Sequence, residues 1–214
     1  MSTTNNTNTN TSQEVIINNL EQPLLIDINK LNEYKQIKFM FENNGIPEEH
    51  KIAYELALMA LTSKQCNESY EKLLSSCLGV VNLEEKHGWD AVDKIENPTE
   101  FYEYKPSSNK NSPSGTINDD TETKIIKFEK LVEEGKNTWL ILAGINKEEF
   151  NFNVIYKFPA EIYNLDRRKY LNETMEKNKK SAKQTRITYS INVKKSIELC
   201  KRFNKLYYIW KMVI

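Results

Sequence analysis

Histidine is scarce in this 214-residue chain: there are two, His50 and His87. Neither lies at a spacing from a cysteine that would make a catalytic triad or a zinc site. His50 falls in the first turn of an expected helix and reads as exposed. His87 stands beside Gly88 and Trp89, where it can serve as a structural residue or touch a substrate. Cysteine is scarce too. Cys66, Cys77 and Cys200 are odd in number, lack metal-like spacing and sit in apolar helical patterns. That excludes a disulfide framework and points to reduced, buried thiols in an intracellular protein, with cytoplasm and nucleus not separated. The six glycines are scattered, so no loop is built to cradle a nucleotide phosphate. No apolar run reaches the roughly 18 residues of a membrane-spanning helix, and no basic-then-apolar leader opens the chain, so neither a membrane span nor a secretory signal is expected. Residues 1–13, MSTTNNTNTNTSQ, hold almost nothing to bury and read as a disordered tail.

What the chain does hold is a globular balance of 39% apolar and 28% charged residues, enough for one domain with a real core. Its net charge of zero conceals a division. Residues 1–163 carry 16 Lys and Arg against 26 Asp and Glu, whereas residues 164–214 carry 14 against 4. A basic segment interleaved with Tyr, Phe and Trp suits a polyanion. It equally suits packing against the acidic remainder of the same chain. Arg167, Arg168 and Lys169 are the densest candidates for phosphate contact.

Residues 14–45 read as an N-terminal arm and helix. EVIINNLEQPLLIDINK is apolar but broken by Pro23, hence extended. Leu31, Tyr34, Ile37, Met40 and Phe41 then keep helical spacing until Asn44-Gly45. Pro47 opens a second helix, with Glu48 and Glu49 near its positive end. A third runs from Asn67 to about Leu78 and buries Tyr70, Leu73, Leu74 and Cys77. Two paired strands follow, and then a polar linker over 106–122. A helix over 124–134 leads to TWLILAGI (138–145), whose unbroken apolar character marks a strand buried on both faces. FNVIYKFP (152–159) is a further strand and RITYSI (186–191) a short one. Val193, Ile197, Cys200, Tyr207 and Lys211 trace a last helix to the C-terminus. The order predicts an α/β fold over 46–214: a central mixed sheet flanked by helices, with helices in front and the basic segment 164–214 behind.

The two paired strands carry the chemistry. They are GWDAVD (88–93) and EFYEYKP (100–106), joined by a turn-like Glu-Asn-Pro. Alternation puts Asp90 and Val92 on one side, and Trp89, Ala91 and Asp93 on the other. Phe101, Glu103 and Lys105 share a face opposite Tyr102 and Tyr104. If the strands are neighbours, an acid of the first reaches Glu103 and Lys105. Two carboxylates can hold Mg²⁺, which accepts one or two carboxylates together with waters and substrate phosphate. A bound cation acidifies water and polarises phosphate, while an ammonium orients that water. The plain alternative is a surface hairpin with solvated charges.

An acid at the start of one strand, Glu-x-Lys on the next, a preceding acidic helix and a following helix–strand pair resemble the PD-(D/E)XK nuclease superfamily, the restriction-endonuclease-like proteins. The resemblance covers residues 49 to 158. It implies that Asp90 takes the place of the first acid, Glu103 is the second metal ligand and Lys105 the motif lysine. The Tyr104 carbonyl is then expected to complete the shell. It further implies a glutamate from the preceding helix, either Glu68 or Glu71, with Glu71 preferred for sharing a face with Leu74 and Leu78. Trp89 stands where the pattern has proline, and Asp93 competes with Asp90 for the first-acid role. The implied activity is hydrolysis of DNA phosphodiester bonds by a Mg²⁺-dependent endonuclease, with Mn²⁺ able to substitute, RNA not excluded, no membrane partner and a homodimer compatible with it. A catalytically inactive nucleic-acid-binding or protein-interaction domain of the same fold is the alternative.

Overall fold

The computed structural model describes residues 20–32, 67–83, 88–118, 129–149, 151–181 and 188–212. The expected tail, most of the first helix, the whole helix opened by Pro47, and His50, Cys66 and His87 lie outside the described residues. The architecture is α/β. Seven strands form one mixed sheet: β1 (Glu21–Pro23), β2 (Val81–Asn82), β3 (Ala91–Val92), β4 (Glu100–Ser107), β6 (Asn137–Asn146), β7 (Asn151–Pro159) and β9 (Tyr207–Lys211). Their order across the sheet is β1-β9-β7-β6-β4-β3-β2. The remaining strands, β5 (Ser114–Asn118) and β8 (Thr188–Asn192), form a separate antiparallel ribbon. Among the described residues the main helices are α1 (Asn67–Leu78), α2 (Asn164–Ser181) and α3 (Val193–Phe203). No helix among the described residues is long and apolar enough to cross a membrane.

Strand β6 is the centre. Leu140, Ile141, Leu142 and Ala143 are all buried, as an unbroken apolar run requires when both faces are covered. On one face, Ile141 and Ala143 join Tyr102, Tyr104, Ile155 and the inner side of α1. On the other, Leu140 and Leu142 pack with Phe158, Tyr189, Leu199 and Cys200. Helix α1 forms where Tyr70, Leu73, Leu74 and Cys77 recur at helical spacing. Glu68 sits in its first turn, beside the positive end of the dipole. Gly79, at φ +68°, ends it in the left-handed conformation that a helix C-terminus favours. The Ser75 hydroxyl meets the Tyr104 hydroxyl at 3.0 Å and ties α1 to β4.

Three sequence expectations are corrected. The linker over 106–122 contains strand β5, which pairs residue for residue with β8. The last helix stops at Phe203: Asn204 adopts φ 51°, and Tyr207–Lys211 becomes a β strand paired with both β7 and β1. β-Branched and aromatic residues over 207–210 favour the sheet once the left-handed Asn204 has ended the helix. The expected strand over 88–93 is only two residues long, and a further short strand, β2, flanks it. The extended arm does take its place, since β1 runs parallel to β9.

After β4 the chain crosses β6 at close range. A Cβ placed on Gly144 would lie 2.0 Å from the backbone oxygen of Lys110, beside a register shift in the β6–β7 pairing. Backbone cannot yield as a side-chain tip does. Gly144→Ala is therefore expected to destabilise the fold by about 2–3 kcal/mol, read as a lowered midpoint in urea unfolding. An unchanged midpoint would show that the 108–113 loop is not held against β6.

Candidate active site

Strand β4 lies between β3, antiparallel, and β6, parallel. Its alternation is resolved by burial: Tyr102 and Tyr104 point into the α1 core, and Glu103 and Lys105 take the other face with partial exposure. In the register, Ala91 pairs with Tyr102 and Val92 with Phe101. One step further, Asp90 stands opposite Glu103. The Asp90 backbone N–H donates to the Tyr102 carbonyl at 2.9 Å, and the Tyr104 N–H donates to the Asp90 carboxylate at 2.5 Å. A side chain thus takes over from the backbone ladder where β3 ends.

The Lys105 ammonium pairs with the Glu103 carboxylate and donates to the Tyr104 carbonyl at 3.1 Å. Glu71, on α1, acts on these groups through its charge. Burial raises its carboxyl above the ordinary value, Lys105 works against that, and Glu103 and Glu68 add to it. Burial likewise pushes Asp90 up, to about 7, with Glu103 and Glu71 adding repulsion while the Tyr104 N–H and Lys105 oppose it. For Lys105, burial acts to lower the ammonium, but Glu103, Asp90 and Glu71 outweigh it and hold it above its ordinary value. The ionisation of Asp90, Glu71 and Lys105 thus responds to the charge of Glu103. Among the described residues, no three His, Cys, Asp or Glu side chains stand as a ready coordination shell. Glu103 is turned to Lys105 instead.

Geometry sets the two aspartates apart. Asp93 does not face Glu103. Its carboxylate accepts from the Thr99 N–H at 2.9 Å, the Thr99 hydroxyl at 2.6 Å and the Glu100 N–H at 3.1 Å, closing the turn between β3 and β4. Burial would raise this carboxyl, but those three donors prevail and hold it down to about 2. Glu68 is exposed and reaches the cluster only through its effect on Glu71.

The expected phosphate contacts are separated. Arg167 is 6% exposed and lies in the interior. Arg168 forms a two-point ion pair with Glu129, at 2.8 Å from Nε and 2.5 Å from the second nitrogen. Of the three, Lys169 is the most open to solvent, and Arg168 keeps part of its side chain there. Further charges of the basic segment are paired within the chain, Lys195 with Asp166 at 2.8 Å and Lys205 with Glu161. Trp210 lies in β9 instead of a terminal helix. Cys77 and Cys200 are buried thiols, both pushed up to about 12 by burial. No known family model, curated protein or solved structure matches this chain.

Two expectations follow from these electrostatics. Asp93 ionises more readily folded than its ordinary value of 3.8, so its stabilisation is present above that value and is lost as pH falls through about 2. Asp93→Ala should cost about 1 kcal/mol at neutral pH, with the difference shrinking in acid. A penalty that persists undiminished in acid would show that its hydrogen bonds do not hold the turn.

Asp90 behaves oppositely. Its folded value lies above its unfolded one, so its contribution is full below 3.8 and is lost as pH rises through about 7. In a chelator, wild-type melting temperature should decline over that window and Asp90→Asn should flatten the decline. Parallel curves for the two proteins would show that Asp90 ionises as an ordinary surface acid.

Proposed function

We propose that this chain is a metal-dependent nuclease hydrolysing phosphodiester bonds in DNA, with Mg²⁺ as its ion, Mn²⁺ able to replace it, and RNA as an open second substrate. The observation that carries the reading is the β3–β4 pairing that stands Asp90, its carboxylate held by the Tyr104 N–H, opposite Glu103, which pairs with Lys105. Three partly buried carboxylates against one cation leave negative charge that a low-dielectric setting opposes. A hard divalent cation relieves it, and the donor set is of the oxygen type Mg²⁺ takes. Asp90 and Glu103 would hold the ion with the Tyr104 carbonyl, and Glu71 would support it from α1. Glu103 must then exchange Lys105 for the ion. When bound, the cation lowers the pKa of a water and polarises the phosphate.

The protein's own groups do the rest. Lys105, released from Glu103, orients the attacking water and offsets the charge that develops on phosphate. The Tyr104 N–H keeps one Asp90 oxygen fixed, so the carboxylate is already placed before substrate arrives. The resemblance to PD-(D/E)XK nucleases lends support, because each of its parts has a counterpart: Asp90 just before β3, Glu103-x-Lys105 on β4, acidic α1 ahead, and the helical residues 129–133 followed by β6 behind. The restriction-endonuclease-like fold belongs to this proposal. Exposed basic residues such as Lys169 on α2 would meet the phosphate backbone. One observation favours a second reading. The Glu103–Lys105 pair closes the cluster on itself, as suits a catalytically silent nucleic-acid-binding or protein-interaction domain of this fold.

Cleavage assays with Mg²⁺ and Mn²⁺ on single- and double-stranded DNA and RNA separate the two. Lys105→Ala should reduce the rate on the order of a hundredfold or more, about 3 kcal/mol in the barrier, and leave DNA binding in place. Glu103→Ala should weaken metal binding as well. Wild-type protein that binds DNA in a salt-dependent way and cuts nothing would replace the nuclease with the silent binding domain.

A further inference from the structure

The ribbon of β5 and β8 lies outside the main sheet, yet it touches the lysine at the centre of the cluster. A Cβ placed on Gly115 would stand 2.8 Å from Lys105 Cβ, 2.9 Å from its Cγ and 3.0 Å from its Cδ. These are the near atoms of the side chain, with Cβ fixed by the β4 backbone, and not a tip that could swing aside. Real Cβ atoms do not approach so closely. The backbone of β5 therefore rests on the methylene stem of Lys105, and only a residue without a side chain allows it to.

The ribbon is held there from outside the cluster. Gly115 pairs with Ile191 across the two strands, and Thr116 with Ser190. Ile191 and Tyr189 are each 1% exposed and belong to the core beneath α3. The Tyr189 hydroxyl donates to the Asp166 carboxylate of α2 at 2.7 Å. Asn192 then caps α3 by accepting from the Lys195 N–H at 2.9 Å. β8 is thus locked by packing, a hydrogen bond and a helix start, and it carries β5 with it. A long charged side chain keeps its stem against apolar or backbone surface and its head toward polar partners. Here the head has two such partners, Glu103 and the Tyr104 carbonyl.

We propose that Gly115 is a positioning residue: it lets the β5–β8 ribbon clamp the stem of Lys105, so that the ammonium stays between Glu103 and the Tyr104 carbonyl. The catalytic role of that ammonium rests on the nuclease reading, whereas the clamp itself does not. A methyl group at Gly115 moves either the ribbon or the lysine stem, and in both cases frees the amine toward solvent.

The test is read on the lysine directly. Full-length wild type and Gly115→Ala are treated with limiting formaldehyde and a borane reductant, and methylation at each lysine is followed over time by peptide mass spectrometry. Lys105 should react on the order of tenfold faster in Gly115→Ala, while Lys110, Lys136 and Lys195 keep their wild-type rates. With a cleavable substrate, kcat should fall on the order of a hundredfold, as displacement of a catalytic group by about 1 Å does, with KM unchanged. Equal Lys105 rates in the two proteins overturn the clamp. So does a common rise at all four lysines, which reports loosening of the fold. If wild type cuts no nucleic acid, the nuclease reading fails and the methylation result still decides the clamp.

Discussion

The hydrogen bond from the Tyr104 N–H to the Asp90 carboxylate, 2.5 Å long, is where this structure turns from scaffold to site. Strand β3 has two residues, too few to hold an edge by ladder bonds alone. Asp90 makes up the deficit with three of its groups. Its N–H donates to the Tyr102 carbonyl, its carboxylate accepts from Tyr104, and its carbonyl accepts from the Leu83 N–H at 2.8 Å. One residue thereby fastens β2, β3 and β4. Because Tyr104 is fixed with its ring toward α1, Glu103 and Lys105 are fixed on the opposite face. The group that completes the fold is also the one whose ionisation the fold opposes.

The two ends of β4 handle charge differently. At its start, Glu100 has Lys157 of β7 at 3.7 Å. That ammonium also lies 4.2 Å from the centre of the Trp139 ring and 5.0 Å from that of Tyr102, so one acid meets one cation in an aromatic setting. Burial lowers Lys157 even so, with Glu100 opposing. Further along the same strand, Lys105 pairs with Glu103 while the charges of Asp90 and Glu71 also act on it, and the acids outnumber the cation. A stability-driven arrangement would repeat the first pattern. The second leaves charge uncompensated where core packing on both faces of β6 can tolerate it, and local rules are most often broken at functional positions.

What the sequence made legible follows physical range. The central strands β6 and β7 and helix α1 were readable because apolar periodicity is local and long in each. β5 was not, since Ser114–Asn118 is polar and becomes a strand only through β8, more than 70 residues later. From sequence β9 reads as helix, because Tyr207 and Lys211 extend the spacing of α3. Only the left-handed Asn204 breaks it. For the site, alternation assigned faces correctly along β4 but could not choose Asp90 over Asp93, because register is a tertiary quantity. Hydrogen bonds draw Asp93 to Thr99 and Glu100, away from Glu103. The contact of Gly115 with Lys105 left no trace in composition or spacing.

Charge counting was the least informative of these signals, for a reason the basic segment illustrates. Its excess of cations is not one exposed patch. Arg167 is inside, and Arg168, Lys195 and Lys205 are bound by Glu129, Asp166 and Glu161. Paired charges contribute little field beyond their partners, and exposed ones act over only about 10 Å at moderate salt. Attraction for a polyanion therefore depends on the positions still open to solvent, among them Lys169, Lys177, Lys194, Lys201 and Arg202 on α2 and α3. Helix α3 packs on the face of β6 that carries Leu140 and Leu142. The register sets Glu103 beside Leu140 and Lys105 beside Leu142, on that same face. Sheet alternation thus places the basic C-terminal helix and the Glu103–Lys105 pair on one side of the molecule. If the nuclease proposal holds, that placement puts exposed cations on the side where Glu103 and Lys105 would meet phosphate.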